Sequence, residues 1–197
     1  MSNFQWKELL TQWSKDIIES GEFDDDLLPA NVKDTGWLGF DGATEIQIAD
    51  AELRLGTKLP PSYREFLEVS NGWRITTPFM WKLWPVEEIE WLPKRNQELV
   101  DIWTAENLTI PDENYLVYGE NQDCSCLRSE YFPTALEISD WGDSSLYLLN
   151  PQIVTSNGEW EAWSFANWKP GAERYQSYWE MMVAEHQSFL NFDDDNE

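Results

Sequence analysis

Histidine occurs once in the 197 residues, at His186, and cysteine twice, at Cys124 and Cys126. A single imidazole excludes His-rich metal sites and any scheme that needs two histidines. His186 falls on the apolar side of a C-terminal amphipathic stretch, where a hydrogen-bonded, partly buried ring is favoured over a general base. Ser-His-Asp and Cys-His catalysis then lack their base. The cysteines are two apart, which suits neither an ordinary disulfide nor a four-ligand zinc site, so they read as reduced, incidental thiols. No apolar run matches the ~20 residues of a membrane span. Residues 1–20 instead form an acid-bearing amphipathic helix, so neither a transmembrane segment nor a signal peptide is expected, and the expected location is the cytoplasm. Phosphate-cradling glycine loops, nucleophile elbows, internal repeats and low-complexity tracts are missing as well.

Basic residues are scarce: 13 Lys and Arg stand against 37 Asp and Glu, a formal net charge of −24. From Glu98 onward, 20 acids meet only Arg128, Lys169 and Arg174. Such a potential repels nucleic acid and anionic membranes and draws basic partners inward. Basic residues interleaved with aromatics are also absent, so neither nucleic acid nor membrane is an expected partner. Charge alone weighs a solubilising surface equally with a binding role. Close acid pairs such as Asp140 and Asp143 arise by chance in so acidic a chain, and the Asp run at 24–26 lacks the alternation and glycine of a calcium loop. The expectation is no metal, no cofactor and no catalysis.

What the chain does have is apolar area: 42% hydrophobic residues, including 13 Trp. That is enough for one domain with a substantial core. Trp6, Leu9, Leu10, Trp13 and Ile17 share one helical face ahead of Gly21, and residues 29–42 read as an irregular connector. In residues 43–73, ATEIQIADAELRLGTKLPPSYREFLEVSNGW, two short helices flank a Pro-Pro turn. Ile48, Ala51 and Leu55 face inward before Gly56; Ser62 and Glu65 form a capping box; Asn71-Gly72 ends the second helix. Beyond it the pattern predicts a strand over 76–85 with Trp81 and Trp84 on opposite faces, a helical turn over 86–92, a helix over 94–105 with Leu99, Ile102 and Trp103 inward, and a strand over 115–118. Strands follow over 135–140, 145–149 and 159–165, separated by Gly142-Asp143, Pro151 and Asn157-Gly158. Ser177 with Glu180 caps a last helix whose inner stripe is Trp179, Met182, Val183, His186 and Leu190. Short loops between the strands imply antiparallel pairing. The fold class is α+β: one domain, a mainly antiparallel sheet covered by helices on one side, plus an extra N-terminal helix.

The order isoleucine, Glu52, Leu55-Gly56, Leu59-Pro60, Tyr63, Phe66-Leu67, Asn71-Gly72 resembles the signature of the SUKH superfamily, in its SMI/KNR branch. ISDWGDSSLYLLNP from Ile138, NGEWEAW from Asn157 and residues 174–181 continue the likeness in the family's usual order. Trp73 departs from it, since the family often places a second glycine there. The division is then residues 1–42 as N-terminal helix and connector packed on the core, 43–190 as the SUKH-like domain, and 191–197 as an acidic disordered tail. For bacterial members the resemblance implies an immunity protein that binds and neutralises a toxin domain, often a basic nuclease. The alternative is a non-catalytic scaffold of the cell-wall regulator type, and a third possibility, a metal-dependent hydrolase, requires carboxylates converging in a pocket.

Loop placement and charge, and not the family motif, select the partner-binding candidates. Glu87, Glu88 and Glu90, with Glu120, Asp123, Asp140 and Asp143, are expected to frame a toxin-facing patch, with Trp91 or Trp141 as its anchor. Trp6, Trp13, Trp103 and Trp179 read as core. Trp37, Trp91, Trp141, Trp160 and Trp168 lie near turns or acids, where an exposed ring has a partner to find.

Overall fold

Alternating apolar residues on either side of Asn157-Gly158 produce the longest strand pair, β3 (Ser145–Val154) with β4 (Trp160–Ala166). The computed structural model describes residues 4–24, 26–105 and 109–194. With β1 (Glu90–Trp91), β2 (Leu136–Glu137) and β5 (Ala172–Tyr175), the pair completes a five-stranded antiparallel sheet in the order β1-β2-β3-β4-β5. Side chains alternate across a strand. Leu136, Tyr147, Leu149, Trp160 and Ala162 therefore join one core, and Leu146, Leu148, Trp163, Phe165 and Ala172 another.

Helices cover both faces, where the sequence predicted cover on one side. Against the first core pack α1 (Trp6–Ser20), α2 (Ala30–Thr35), α3 (Glu45–Leu55), α4 (Pro61–Val69) and α8 (Tyr178–Asp194). Against the second pack α5 (Leu92–Arg95), α6 (Gln97–Thr104) and a 3-10 segment, Ser129–Thr134. The stripe of α1 is buried as its spacing predicts, except that Leu9 is only half-buried. Trp13 donates its indole N–H to the Thr76 carbonyl at 3.0 Å, and Trp6 lies edge-on to Phe66.

Several expectations are corrected. Residues 29–42 contain α2. No capping box joins Ser62 to Glu65; Glu159, from the β3–β4 turn, takes the Ser62 N–H at 2.9 Å and its hydroxyl at 2.5 Å. A carboxylate at a helix N-terminus satisfies free N–H groups and the dipole together. Residues 76–85 make only isolated bridges, such as Leu83 to Ser139, and no strand. The helical turn expected over 86–92 is present but shorter, Glu88 and Ile89 donating their N–H groups to the Pro85 carbonyl at 2.8 and 3.3 Å, and it leads into β1, which pairs Glu90 with Glu137 and Trp91 with Leu136. The helix expected over 94–105 is broken at Asn96, whose side chain accepts the Leu99 N–H and caps α6, and Ile102 is 62% exposed. Residues 115–118 are not a strand, since Tyr115 closes the short helix α7 (Asp112–Tyr115). β3 runs on through Pro151, where its register with β4 shifts between Asn150 and Val154. Such an irregularity tolerates a missing N–H.

The inner face of α8 carries Tyr178, Met181, Met182, Glu185 and Phe189; of the expected stripe, Met182 and His186 are buried and Trp179, Val183 and Leu190 half-buried. His186 bonds Asp16 of α1 at 2.7 Å. The helix continues to Asp194, into the stretch expected as an acidic tail from 191, and residues 195–197 of that tail lie outside the described residues. Trp73, the departure from the family pattern, is fully buried, bridges Gly39 and Leu83, and meets Trp37 edge-on.

Candidate binding surface at the loop end of the sheet

β2 ends, β3 begins, β4 ends and β5 begins toward the same end of the sheet. The loops they leave lie side by side, and residues 77–80 join them. Asp143 donates its N–H to the Phe79 carbonyl at 2.8 Å, and Asn167 donates to the Ser144 carbonyl at 3.0 Å. Gly142 permits this approach: a Cβ there would stand 2.0 Å from the Phe79 carbonyl oxygen. Ser144 turns the chain back with φ 55°.

Two indoles project from this end. Trp168 is 50% exposed and edge-on to Phe79 at 5.5 Å; Trp81 is 40% exposed, its N–H donated to the Pro78 carbonyl at 2.8 Å. Asp143 is exposed and Asp140 half-buried nearby, with Glu173 on β5 paired to Lys169 at 2.8 Å. Behind the aromatic rim lies a cleft of about 140 Å³ between α8 and the strands. On its lining, Tyr147 donates its hydroxyl to Glu185 at 2.6 Å and sits 3.1 Å from the Thr76 hydroxyl. Burial pushes the Glu185 carboxyl up, opposed by the hydroxyls of Tyr147 and Ser164.

The candidates named from sequence do not share one patch. Asp140, Trp141 and Asp143 lie at the loop end, with Trp141 half-buried against the second core. Glu87, Glu88, Glu90 and Trp91 lie at the β1 edge. Gln47 and Asn71 donate to Glu87 at 2.6 and 3.0 Å; Lys94 and Arg54 flank Glu90 at 3.1 and 3.6 Å. Trp91 packs on the first core and donates to the Leu55 carbonyl at 3.3 Å, so it serves the fold more than the surface. Glu120 and Asp123 are exposed beyond β5, where Gln122 bonds the Arg174 backbone through both its oxygen and its nitrogen at 2.7 Å. Hydrogen bonds from the Ser125 hydroxyl and N–H hold the Asp123 carboxyl below the usual range. Four strand spacings of about 4.8 Å separate the two edges, on the order of 19 Å.

Sequence reasoning missed Glu185, Glu173 and Trp81 as surface or cleft residues. Trp168 carried a signal, since turn residues Asn167 and Pro170-Gly171 bracket it. Glu185 carried none, being one more acid on an amphipathic helix. Among the described residues no group of three or more His, Cys, Asp and Glu side chains is arranged to hold a metal ion, and no helix is long and apolar enough to cross a membrane.

Glu137 on β2 is a second buried acid, 3.5 Å from the Arg95 Nε. Burial pushes its carboxyl up to about 7, against the pull of Arg95. Folding thus favours the protonated form: the contribution is full below the ordinary value of 4.5 and is lost as pH rises through about 7. Glu137→Gln, neutral at every pH, is expected to melt above the parent at pH 8, with the gain shrinking toward pH 5. An equal gain at both pH values would contradict this assignment.

Five antiparallel strands with helices on both faces define a single α+β domain. Residues 42–184 match the model of the SMI1 / KNR4 family (SUKH-1), and the chain belongs to that family. The family includes immunity proteins, is generally non-catalytic, and points to a protein partner such as a toxin. A comparison with curated proteins gives no match.

Proposed function

We propose that this chain is an immunity protein that binds a cognate toxin domain in the cytoplasm and neutralises it by covering its active site, without catalysis of its own. The observation that carries the reading is the loop end itself: the exposed rings of Trp81 and Trp168 stand among Asp140, Asp143 and Glu173 on a chain of net charge −24. Exposed aromatics are the residues that anchor interfaces. Carboxylates around them suit a basic target, because a nuclease site that holds phosphates with Lys and Arg accepts carboxylates as stand-ins. A standard interface of about 800 Å² per partner is a disc roughly 30 Å across. A disc of that width spans the roughly 19 Å between the sheet edges.

The test is capture of partners from source cells at low and high salt, followed by titration of the captured domain. A basic toxin domain is expected, bound at least roughly 30-fold more weakly by Trp168→Ala, the loss of about 2 kcal/mol that marks an anchor. Asp143→Lys should slow association and flatten its salt dependence. Recovery only of kinases or cell-wall factors would overturn the reading in favour of a signalling scaffold.

A further inference from the structure

We propose that the cleft behind Phe79 and Trp168 receives one cationic side chain, an arginine or lysine, presented by a protein partner. Its identification with a toxin residue rests on the immunity reading; its preference for a cation does not. Size narrows the occupant first. At about 140 Å³ the cleft is well below the roughly 300–1,000 Å³ of pockets that hold cofactors or drug-sized ligands, so a side chain fits where a metabolite does not.

Chemistry narrows it further. The mouth is framed by the half-exposed Trp168 indole and the Phe79 ring, surfaces that attract a cation. Deeper, Glu185 is 8% exposed and accepts a hydrogen bond from the Tyr147 hydroxyl at 2.6 Å, with Ser164 also on the cleft lining. No cation lies within ion-pair distance of it among the described residues. Lys169, the base on the cleft wall, is held by Glu173 at 2.8 Å and lies 5.7 Å from the centre of the Trp168 ring, so the arriving cation shares that indole with it. Burial raises the Glu185 carboxyl by more than the hydroxyls of Tyr147 and Ser164 and the charge of Lys169 lower it, so part of the desolvation cost stays uncompensated. An arriving guanidinium or ammonium offsets the cost with charge-assisted hydrogen bonds, whereas an anion or a neutral group does not. The charged and titratable groups around Glu185 are Glu173, Lys169, Tyr147 and Tyr175, which leaves an acidic balance toward the opening.

N-acetyl-arginine N-methylamide is the probe, read by NMR from the Trp168 indole N–H, which Trp168→Phe assigns. Saturable binding with a millimolar dissociation constant is expected, with no shift from the neutral glutamine analogue. Glu185→Gln preserves shape and removes charge, so it is expected to weaken binding at least tenfold while melting at or above the parent temperature. Absence of saturation in the parent, or equal binding by the two amides, would overturn the proposal. So would a captured toxin that binds Glu185→Gln as tightly as the parent, and the immunity reading would survive that result. Arginine-selective binding with no toxin captured would support the cation site and sink the immunity reading instead.

Discussion

Arg174→Met is expected to destabilise the fold by about 3–5 kcal/mol in urea or guanidinium titrations, the cost of stranding a buried charge. Arg174 on β5 and Glu161 on β4 are both fully buried and lie 3.6 Å apart. Glu161 accepts hydrogen bonds from Tyr115 at 2.6 Å, Tyr118 at 2.9 Å, Asn150 at 2.8 Å and Trp163 at 2.7 Å. Arg174 donates to the Tyr115 carbonyl and lies 4.2 Å from the centre of the Tyr115 ring; its Nε and Nη2 have no hydrogen-bond partner among the described residues. The four donors are arranged for an anion, and the guanidinium is the charge that balances it. Against a total of about 5–15 kcal/mol for a folded domain, the loss leaves little in reserve. Adding Glu161→Gln to Arg174→Met makes the pair neutral and should recover part of it. A double variant no more stable than the single one would show that size, not charge, sets the cost.

Trp13→Ala is expected to cost a similar amount, about 3–5 kcal/mol, because the large void in the first core cannot collapse and the Thr76 carbonyl loses its indole donor. The variant also tests a proposal about organisation, that residues 1–42 fold as part of one unit with residues 43–190. On that proposal a single cooperative thermal transition moves to lower temperature. Two separated transitions would mean that α1 melts on its own and the family domain stands without it.

Periodicity revealed those features that packing repeats locally. The α1 stripe, the Pro-Pro helix pair and the β3–β4 pair could be read because each buries one face at a regular spacing. β1, β2 and β5 are only two to four residues long, too short for alternation to register, and β1 exists because Glu90-Trp91 happens to reach β2. The capping role of Ser62 was misread because Glu159, 97 residues away, supplies the carboxylate that Glu65 was expected to give. The candidate surface was legible only in part, for the same reason. Asp140, Trp141 and Asp143 fall near it because they flank a turn, whereas Trp81, Glu173 and Glu185 reach it through tertiary packing that no local spacing encodes. Loop placement and charge pointed to Glu87 and Glu90, and what they could not show is that Gln47, Asn71, Lys94 and Arg54 bond these two acids, of which Glu87 is exposed and Glu90 half-buried.

The packing of α1 against α8 also imposes a schedule on the chain. Asp16 meets His186 and Phe23 meets Phe189, so the first described helix finds its seat only after the last one has been made. At roughly 5–20 residues per second of synthesis, the tryptophans of α1 wait on the order of 10–40 s without their final partners. Tyr147 and Glu185 come together at the same late moment. A ribosome still translating α8 therefore carries a chain with no finished cleft, and Glu185 has yet to meet the Tyr147 hydroxyl that bonds it.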